Sequence, residues 1–183
     1  MDSNEIEFLG EAQQVKIVPN FNFGQIHLIS GSVGPFRAGM PVIVPIWLAI
    51  NLKQQQKCRI VCPNWMETEN LQVLKENEKL SKAFTVMPSN HYMDEAHILL
   101  STADEDLHNV DNIRTTVKDI WDLRMSKLRT FIDELFKNQS GVYAMLNHLT
   151  AMEIASIKPL LPYAMDQQFR LNTSEYYTRA SPA

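Results

Sequence analysis

The side chains best suited to chemistry here are two cysteines, five histidines, a few serines and several charge clusters. Cys58 and Cys62 are separated by three residues. Structural zinc needs four ligands, usually as two ligand pairs. No second pair exists, because His27, His91, His97, His108 and His148 are scattered along the chain. A cysteine nucleophile needs a positioned base, and neither thiol lies in a local catalytic signature. Ser30-Gly31-Ser32, Ser101 and Ser140-Gly141 match neither a nucleophile elbow nor a phosphate loop. The stretch Gly31 to Gly34 is too short to cradle phosphate and reads as a turn. Asp104-Glu105-Asp106 precedes a helix N-terminus, where negative charge is stabilising without any metal. The residues thus offer no catalytic, cofactor-binding or metal-binding set, and the expected class is not an enzyme.

Basic residues carry more information. Lys53, Lys57 and Arg59 cluster near the end of a short helix. Arg114, Lys118, Arg124, Lys127 and Arg129 decorate a long one. Asp111, Asp119, Asp122 and Asp133 interleave with them, which describes a solvated face laced with ion pairs. A DNA-binding strip would carry less acid and more exposed aromatics. Arginines that meet carboxylates of a partner subunit are the better functional expectation. Trp47, Trp65 and Trp121 lie on or beside predicted helices, where they serve either as core or as interface anchors. The expected interface set is Trp47, Lys53, Arg59, Arg114, Trp121, Arg124, Lys127 and Arg129.

The elements that must position these residues fall into two halves. A short helix is predicted over Glu5 to Glu11, with Ile6 and Leu9 on one face. Val15 to Val18 and Ile26 to Ile29 are short, β-branched and roughly alternating, and Val42 to Val44 is similar. Asn20 to Gly24, Ser30 to Pro35, and Gly39 with Pro41 punctuate them. Pro45 suits a first helical position, and Ile46, Ala49, Ile50 and Lys53 continue at helical spacing to about Gln56. Cys58 to Cys62 reads as an extended connector. Asn64 and Glu67 are spaced like a capping box, ahead of Leu71, Leu74 and Leu80. Tyr92, Ala96 and Leu99 mark another helix. The strongest pattern runs from Val110 to Lys137. Its apolar stripe is Val110, Ile113, Val117, Ile120, Trp121, Leu128, Phe131, Ile132 and Leu135, over about 40 Å of helix. Thr150 and Glu153 form a capping box for a last helical region, which Pro159 and Pro162 interrupt.

The expected fold class is therefore α+β. A small β-rich domain with a short N-terminal helix occupies 1–62, a mainly α-helical bundle domain 63–171, and a polar tail 172–183. The first domain is too small for a generous core and should lean on something else. Of the 183 residues, 45% are apolar and 21% charged, enough to bury a core and too apolar for general disorder. The net charge of −4 does not steer the whole chain towards nucleic acid. Reduced thiols suit the cytosol or nucleus. The acidic start Met1 to Glu5 is unlike a signal peptide. The longest apolar stretch, Val42 to Ile50, contains Pro45 and is too short to span a bilayer. No run of five lysines and arginines marks nuclear import.

Several segments also resemble one family. Ile17-Val-Pro-Asn-Phe21, Gly34-Pro-Phe-Arg-Ala-Gly39, Val44-Pro-Ile-Trp-Leu-Ala-Ile-Asn-Leu-Lys53, Gln56-Lys-Cys-Arg-Ile60 and Pro63-Asn-Trp-Met66 look like the N-terminal part of Psf-two subunits of the GINS complex. Ile113-Arg-Thr-Thr-Val-Lys-Asp-Ile-Trp-Asp122, with Arg124 and Lys127-Leu-Arg129, is similar to that family's long helix. Asn147-His-Leu-Thr-Ala-Met-Glu-Ile154 is similar to its capping-box segment. The resemblance covers residues from about 5 to 165. It implies a β-rich domain followed by a helical one, no active site and no cofactor. It further implies nuclear location and three sister GINS subunits in a hetero-tetramer. That tetramer would join a RecJ-like partner and the MCM ring in the replicative helicase. The mixed charge of the long helix independently points to little or no direct sequence-specific DNA binding by this chain. The alternative is a nucleic-acid-binding module that uses the basic residues of the long helix.

Overall fold

The computed structural model describes residues 2–29, 31–137, 147–159, 161–167 and 169–170. Helix α1 (Ser3–Glu11) opens with the Asp2 backbone N–H donating to Glu5 Oε2 at 2.9 Å. Ile6 is buried beneath it, whereas Leu9 is half-exposed. Strand β1 (Gln14–Pro19) buries Val15, Ile17 and Pro19 on one face, as a period of two requires.

The expected turn at Asn20 to Gly24 is only a bend at Asn20 and Phe21, after which Phe23 bridges to Phe36, and the next strand does not return along β1. Instead β2 (Ile26–Leu28) pairs antiparallel with β3 (Gly31–Val33) as a separate hairpin. Ile29, expected at the end of that strand, is an exposed turn residue. The hairpin is anchored by reciprocal 2.9 Å hydrogen bonds between the backbones of Phe23 and Phe36. Phe36 is buried and stacks on Phe21 at 5.5 Å between ring centroids. Gly34 has φ +108°, and a Cβ there would lie 3.2 Å from both the Gly24 carbonyl and the Phe36 ring. Only glycine fits that position without rearrangement.

Strand β4 (Val42–Pro45) pairs with β1, and helix α2 (Ile46–Gln54) follows directly. Pro45 is thus the last ladder residue, opposite Gln14, and the cap of α2 rather than its first helical residue. Strand β5 (Cys58–Ile60) pairs with the other side of β1, giving the order β4-β1-β5. The stretch expected to be a plain connector therefore supplies a sheet strand. The expected capping box at Asn64 is also corrected. Asn64–Met66 is a 3₁₀ turn closed by the Met66 N–H on the Pro63 carbonyl at 2.9 Å. That turn buries Met66 completely, and α3 (Thr68–Leu80) starts only after Glu67.

Helix α4 (Tyr92–Thr102), a 3₁₀ turn at Asp104–Asp106 and α5 (Val110–Lys137) complete the main helical layer. Helix α5 has 28 residues and packs against α3 and α4. Its Ile113, Val117, Ile120 and Leu128 are buried, while Val110, Trp121, Phe131 and Ile132 are partly so. Helix α6 (Ala151–Ile157) follows Thr150, and residues 161–167 are again helical. Leu80, expected on the inner face of α3, is exposed. Ser140-Gly141, the side chain of Leu135 and the tail 172–183 lie outside the described residues.

The architecture is α+β, strand-rich first and helical second. One buried cluster runs through both halves, from Val15, Ile17, Val44 and Ile60 to Leu99, Ile113 and Ile120. The small sheet thus leans on α2, α4 and α5, which supply the apolar cover it lacks.

Candidate interaction site

Arg124 sits in the middle of the buried stripe of α5, one turn beyond Ile120 and one before Leu128. Its side chain is 0% exposed. A guanidinium has five N–H donors in a planar fork, and all five are used. Nε and Nη2 grip Glu153 at 2.6 and 3.0 Å. Nη1 donates to Glu78 Oε2 at 2.9 Å and to the Thr85 carbonyl at 3.0 Å. Nη2 also donates to the His148 carbonyl at 2.7 Å. The Phe84 ring lies 5.3 Å from the guanidinium carbon, within cation–π range.

Lys127, one turn further on, donates to Glu78 Oε1 at 2.7 Å and to the Glu78 carbonyl. Glu78 also accepts from the backbone N–H and the hydroxyl of Thr85. Burial works to raise the pKa of Glu78, but Lys127, Thr85 and Arg124 outweigh it, so the carboxyl is held below the ordinary range. Burial likewise works against the Arg124 cation, and Glu153 and Glu78 reverse the effect. Two cations thus face two carboxylates, in a knot that ties α3, the 81–91 connector, α5 and α6 together.

The expectation that Arg124 and Lys127 reach acidic groups of a partner is therefore corrected. Both find their carboxylates within the chain, and Arg124 has no N–H left to donate.

A second knot centres on Asp106. Its Oδ2 accepts from the Ile60 backbone N–H at 2.9 Å and pairs with Lys53 Nζ at 2.9 Å. Arg59 approaches Oδ1 at 3.9 Å from a largely exposed side chain. Asp106 thereby closes the outer edge of β5 and joins the sheet to the helical layer. Lys53 and Arg59 are brought together here, while Trp47 lies partly buried on α2.

The remaining expected residues face outward. Arg114 and Arg129 are exposed on α5 and form no ion pair among the described residues. Arg114 and Trp121 line a groove of about 530 Å³ between α4 and α5. Met93, Ala96, Leu100, Val117 and Trp121 give it an apolar floor and wall, and Arg114, Lys118, His97 and Asp122 edge it. Both thiols have pKa values raised by burial, Cys58 to about 11. Among the described residues no group of three or more His, Cys, Asp or Glu side chains could hold a metal ion.

Two family models match the chain. Residues 2–61 match the PSF2 N-terminal domain, and residues 65–170 match the GINS complex protein helical bundle domain. The chain belongs to the PSF2 family of GINS proteins. It is 52% identical over 166 residues to the "Probable DNA replication complex GINS protein PSF2" of Drosophila melanogaster, covering 91% of this chain and 81% of that one. It is 45% identical over 174 residues to each "DNA replication complex GINS protein PSF2" of Xenopus laevis and Homo sapiens, covering 95% of this chain and 94% of theirs.

In this PSF2-family chain, sequence reasoning missed Glu78, Asp106 and Thr85, and it counted Arg124 among the residues of a solvated face and left it out of the apolar stripe of α5. Signals existed for two of these four. Arg124 continues the spacing Ile113, Val117, Ile120 towards Leu128. Glu78 falls on the same face as Leu71 and Leu74. A lone charge on an apolar stripe is a buried charge, and a buried charge requires a partner. Asp106 and Thr85 carried no comparable pattern.

Proposed function

We propose that this chain is a non-catalytic assembly subunit of a nuclear GINS hetero-tetramer acting in DNA replication. In that role it combines with three sister GINS subunits, and the tetramer joins the MCM ring and a RecJ-like partner in the replicative helicase. The observation that carries this reading is likeness along nearly the whole chain to proteins named as GINS PSF2. The geometry agrees with it. The buried cations serve the fold, while Arg114, Lys118 and Arg129 stay exposed on the long helix with carboxylates interspersed. That mixed charge suits protein contacts better than a phosphate backbone, so little direct sequence-specific DNA binding is expected. The interface set becomes Arg114, Trp121 and Arg129, with Lys53 and Arg59 at the second knot and Trp47 on α2.

The test is affinity purification of the tagged chain from nuclei of its own species, with quantitative mass spectrometry. Three sister chains at equal stoichiometry are expected in all fractions, with MCM and RecJ-like proteins joining in the chromatin-bound fraction. Recovery of the chain without sister chains would contradict the proposal. So would DNA binding by the isolated chain with a steep salt dependence.

A further inference from the structure

We infer that a polar pocket with Trp65 in its wall and Glu95 at its base receives the guanidinium of an arginine side chain from another protein. The pocket holds about 370 Å³, and four segments converge on it. Gln13 and Gln14 come from the junction of α1 and β1, and Trp65 from the 3₁₀ turn before α3. Ser89 and Asn90 come from the 81–91 connector, and Glu95 from α4. Local bonds fix these segments. The Gln13 carbonyl accepts from the Ile46 N–H at 2.8 Å. Ser89 Oγ accepts from the His91 N–H at 3.1 Å and donates to Glu95 Oε1.

The buried carboxylates identify what the pocket lacks. Among the described residues four carboxylates are buried, those of Glu78, Asp94, Glu95 and Glu153. Arg124 and Lys127 answer Glu78, and Arg124 answers Glu153. Asp94 and Glu95 have no lysine or arginine partner among the described residues. Glu95 is 7% exposed, and beyond Ser89 no donor among the described residues meets its carboxylate. His91 Nδ1 lies 3.9 Å from Asp94 Oδ2, and neither atom has a hydrogen-bond partner. Burial outweighs Ser89 and His91 at Glu95 and raises the pKa of its carboxyl. A buried carboxylate without a cation is costly, and Glu95 lines a pocket that a cation from outside can enter.

The wall selects the kind of cation. Trp65 is only half-buried by its own chain. A guanidinium is planar, so it stacks on an aromatic face while its fork meets a carboxylate. Its five N–H donors need several acceptors. Glu95 supplies the charged one, and the side-chain carbonyls of Gln13, Gln14 and Asn90 supply neutral ones. A lysine ammonium is a compact point charge that leaves the Trp65 face and most of these amides unused.

The experiment uses the full chain co-expressed with three sister GINS subunits and purified by a tag on this chain. Nα-acetyl-arginine amide and its lysine and citrulline analogues are titrated and followed by saturation-transfer NMR. Citrulline keeps the shape of arginine and removes the charge. The arginine probe should bind at least about tenfold more tightly than the citrulline probe, with lysine between them. Glu95→Gln keeps an acceptor for Ser89 and should erase that preference, whereas Glu76→Gln, at an exposed position on α3, should retain it. Without any substitution, acidification through the raised pKa of Glu95 should erase it as well. In parallel, a photo-crosslinking amino acid at Asn90, on the exposed rim, reports what already fills the pocket.

Arginine-selective probe binding would support the proposal and place the source in a further protein. No probe binding, with an Asn90 crosslink to an arginine-bearing segment of a co-purified chain, would support it and place the source within the assembly. Probe binding that does not separate arginine from citrulline, or that Glu95→Gln leaves unchanged, would overturn the proposal. So would the absence of both probe binding and an arginine-bearing crosslink. Failure of the sister chains to co-purify would overturn the assembly reading alone, because the pocket lies within one chain.

Discussion

Replacing Arg124 by alanine separates a folding role from a docking role. The change removes five hydrogen bonds and leaves two buried carboxylates facing each other's field. Breaking a buried pair by deleting one partner costs about 3–5 kcal/mol. The two carboxylates do not share that cost equally. Glu78 keeps Lys127 and Thr85, whereas among the described residues Glu153 keeps only the Thr150 N–H at 2.9 Å. The loss should therefore fall chiefly on α6. At about 2–4 °C per kcal/mol for a chain of this size, Tm should drop by roughly 6–20 °C. The assay is thermal unfolding of the purified assembly, with hydrogen exchange resolved by segment. Exchange should rise first in 151–157 and 81–91, and least in α4. Arg124→Met combined with Glu153→Gln removes both charges and keeps an acceptor for Thr150. That double variant should recover on the order of 1–3 kcal/mol relative to additive single changes. A Tm shift below about 2 °C with unchanged exchange in α6, or strict additivity in the double variant, would refute the reasoning.

Acid should loosen the same knot. Glu78 has a folded pKa below its unfolded value, so its contribution is present above about pH 4.3 and is lost as pH falls through the folded pKa. Glu78→Gln should flatten that acid limb of stability measured against pH. Asp94 and Glu95 have the opposite sign, because burial raises both, so each costs stability while ionised and regains it as pH falls through its raised folded pKa. Asp94→Asn should accordingly abolish part of any gain seen as pH falls through the raised folded pKa towards the unfolded one, and an unchanged profile would count against the burial argument. The thiols should be inert. With Cys58 raised to about 11, alkylation at neutral pH should run on the order of 100-fold slower than for an ordinary thiol. Replacing both cysteines by alanine should leave assembly intact, and stoichiometric zinc in the wild type that is lost with the complex would overturn this. Asp106→Ala strips the partner from the Ile60 N–H and from Lys53, and should cost about 1–3 kcal/mol in denaturant unfolding. Lys53→Ala should cost less.

Much of the fold was legible because its signals are local. The period of α5 gave its limits, and the turn residues separated the strands from the helices. What failed was also local in appearance but tertiary in cause. Asn64 has capping spacing, yet burial of Met66 favours a 3₁₀ turn and delays the helix. Cys58 to Ile60 lacks strand length, yet pairing with β1 recruits it. The charges were hardest to place. Arg114 and Arg124 have the same side chain on the same helix, and only their position relative to the stripe distinguishes an outward cation from a buried one. The carboxylates that answer Arg124 lie 46 and 29 residues away in sequence, beyond any pattern of spacing. The family likeness was legible for a different reason, since long ungapped segments carry more information than any single site.

The most direct test of the assembly reading is native mass spectrometry of the chain co-expressed with its three sister subunits and, separately, of the chain alone. The account predicts a single one-to-one-to-one-to-one tetramer in the first sample. In the second it predicts an unstable or self-associating species. A monodisperse, cooperatively folding monomer at micromolar concentration that ignores its sister chains would contradict it.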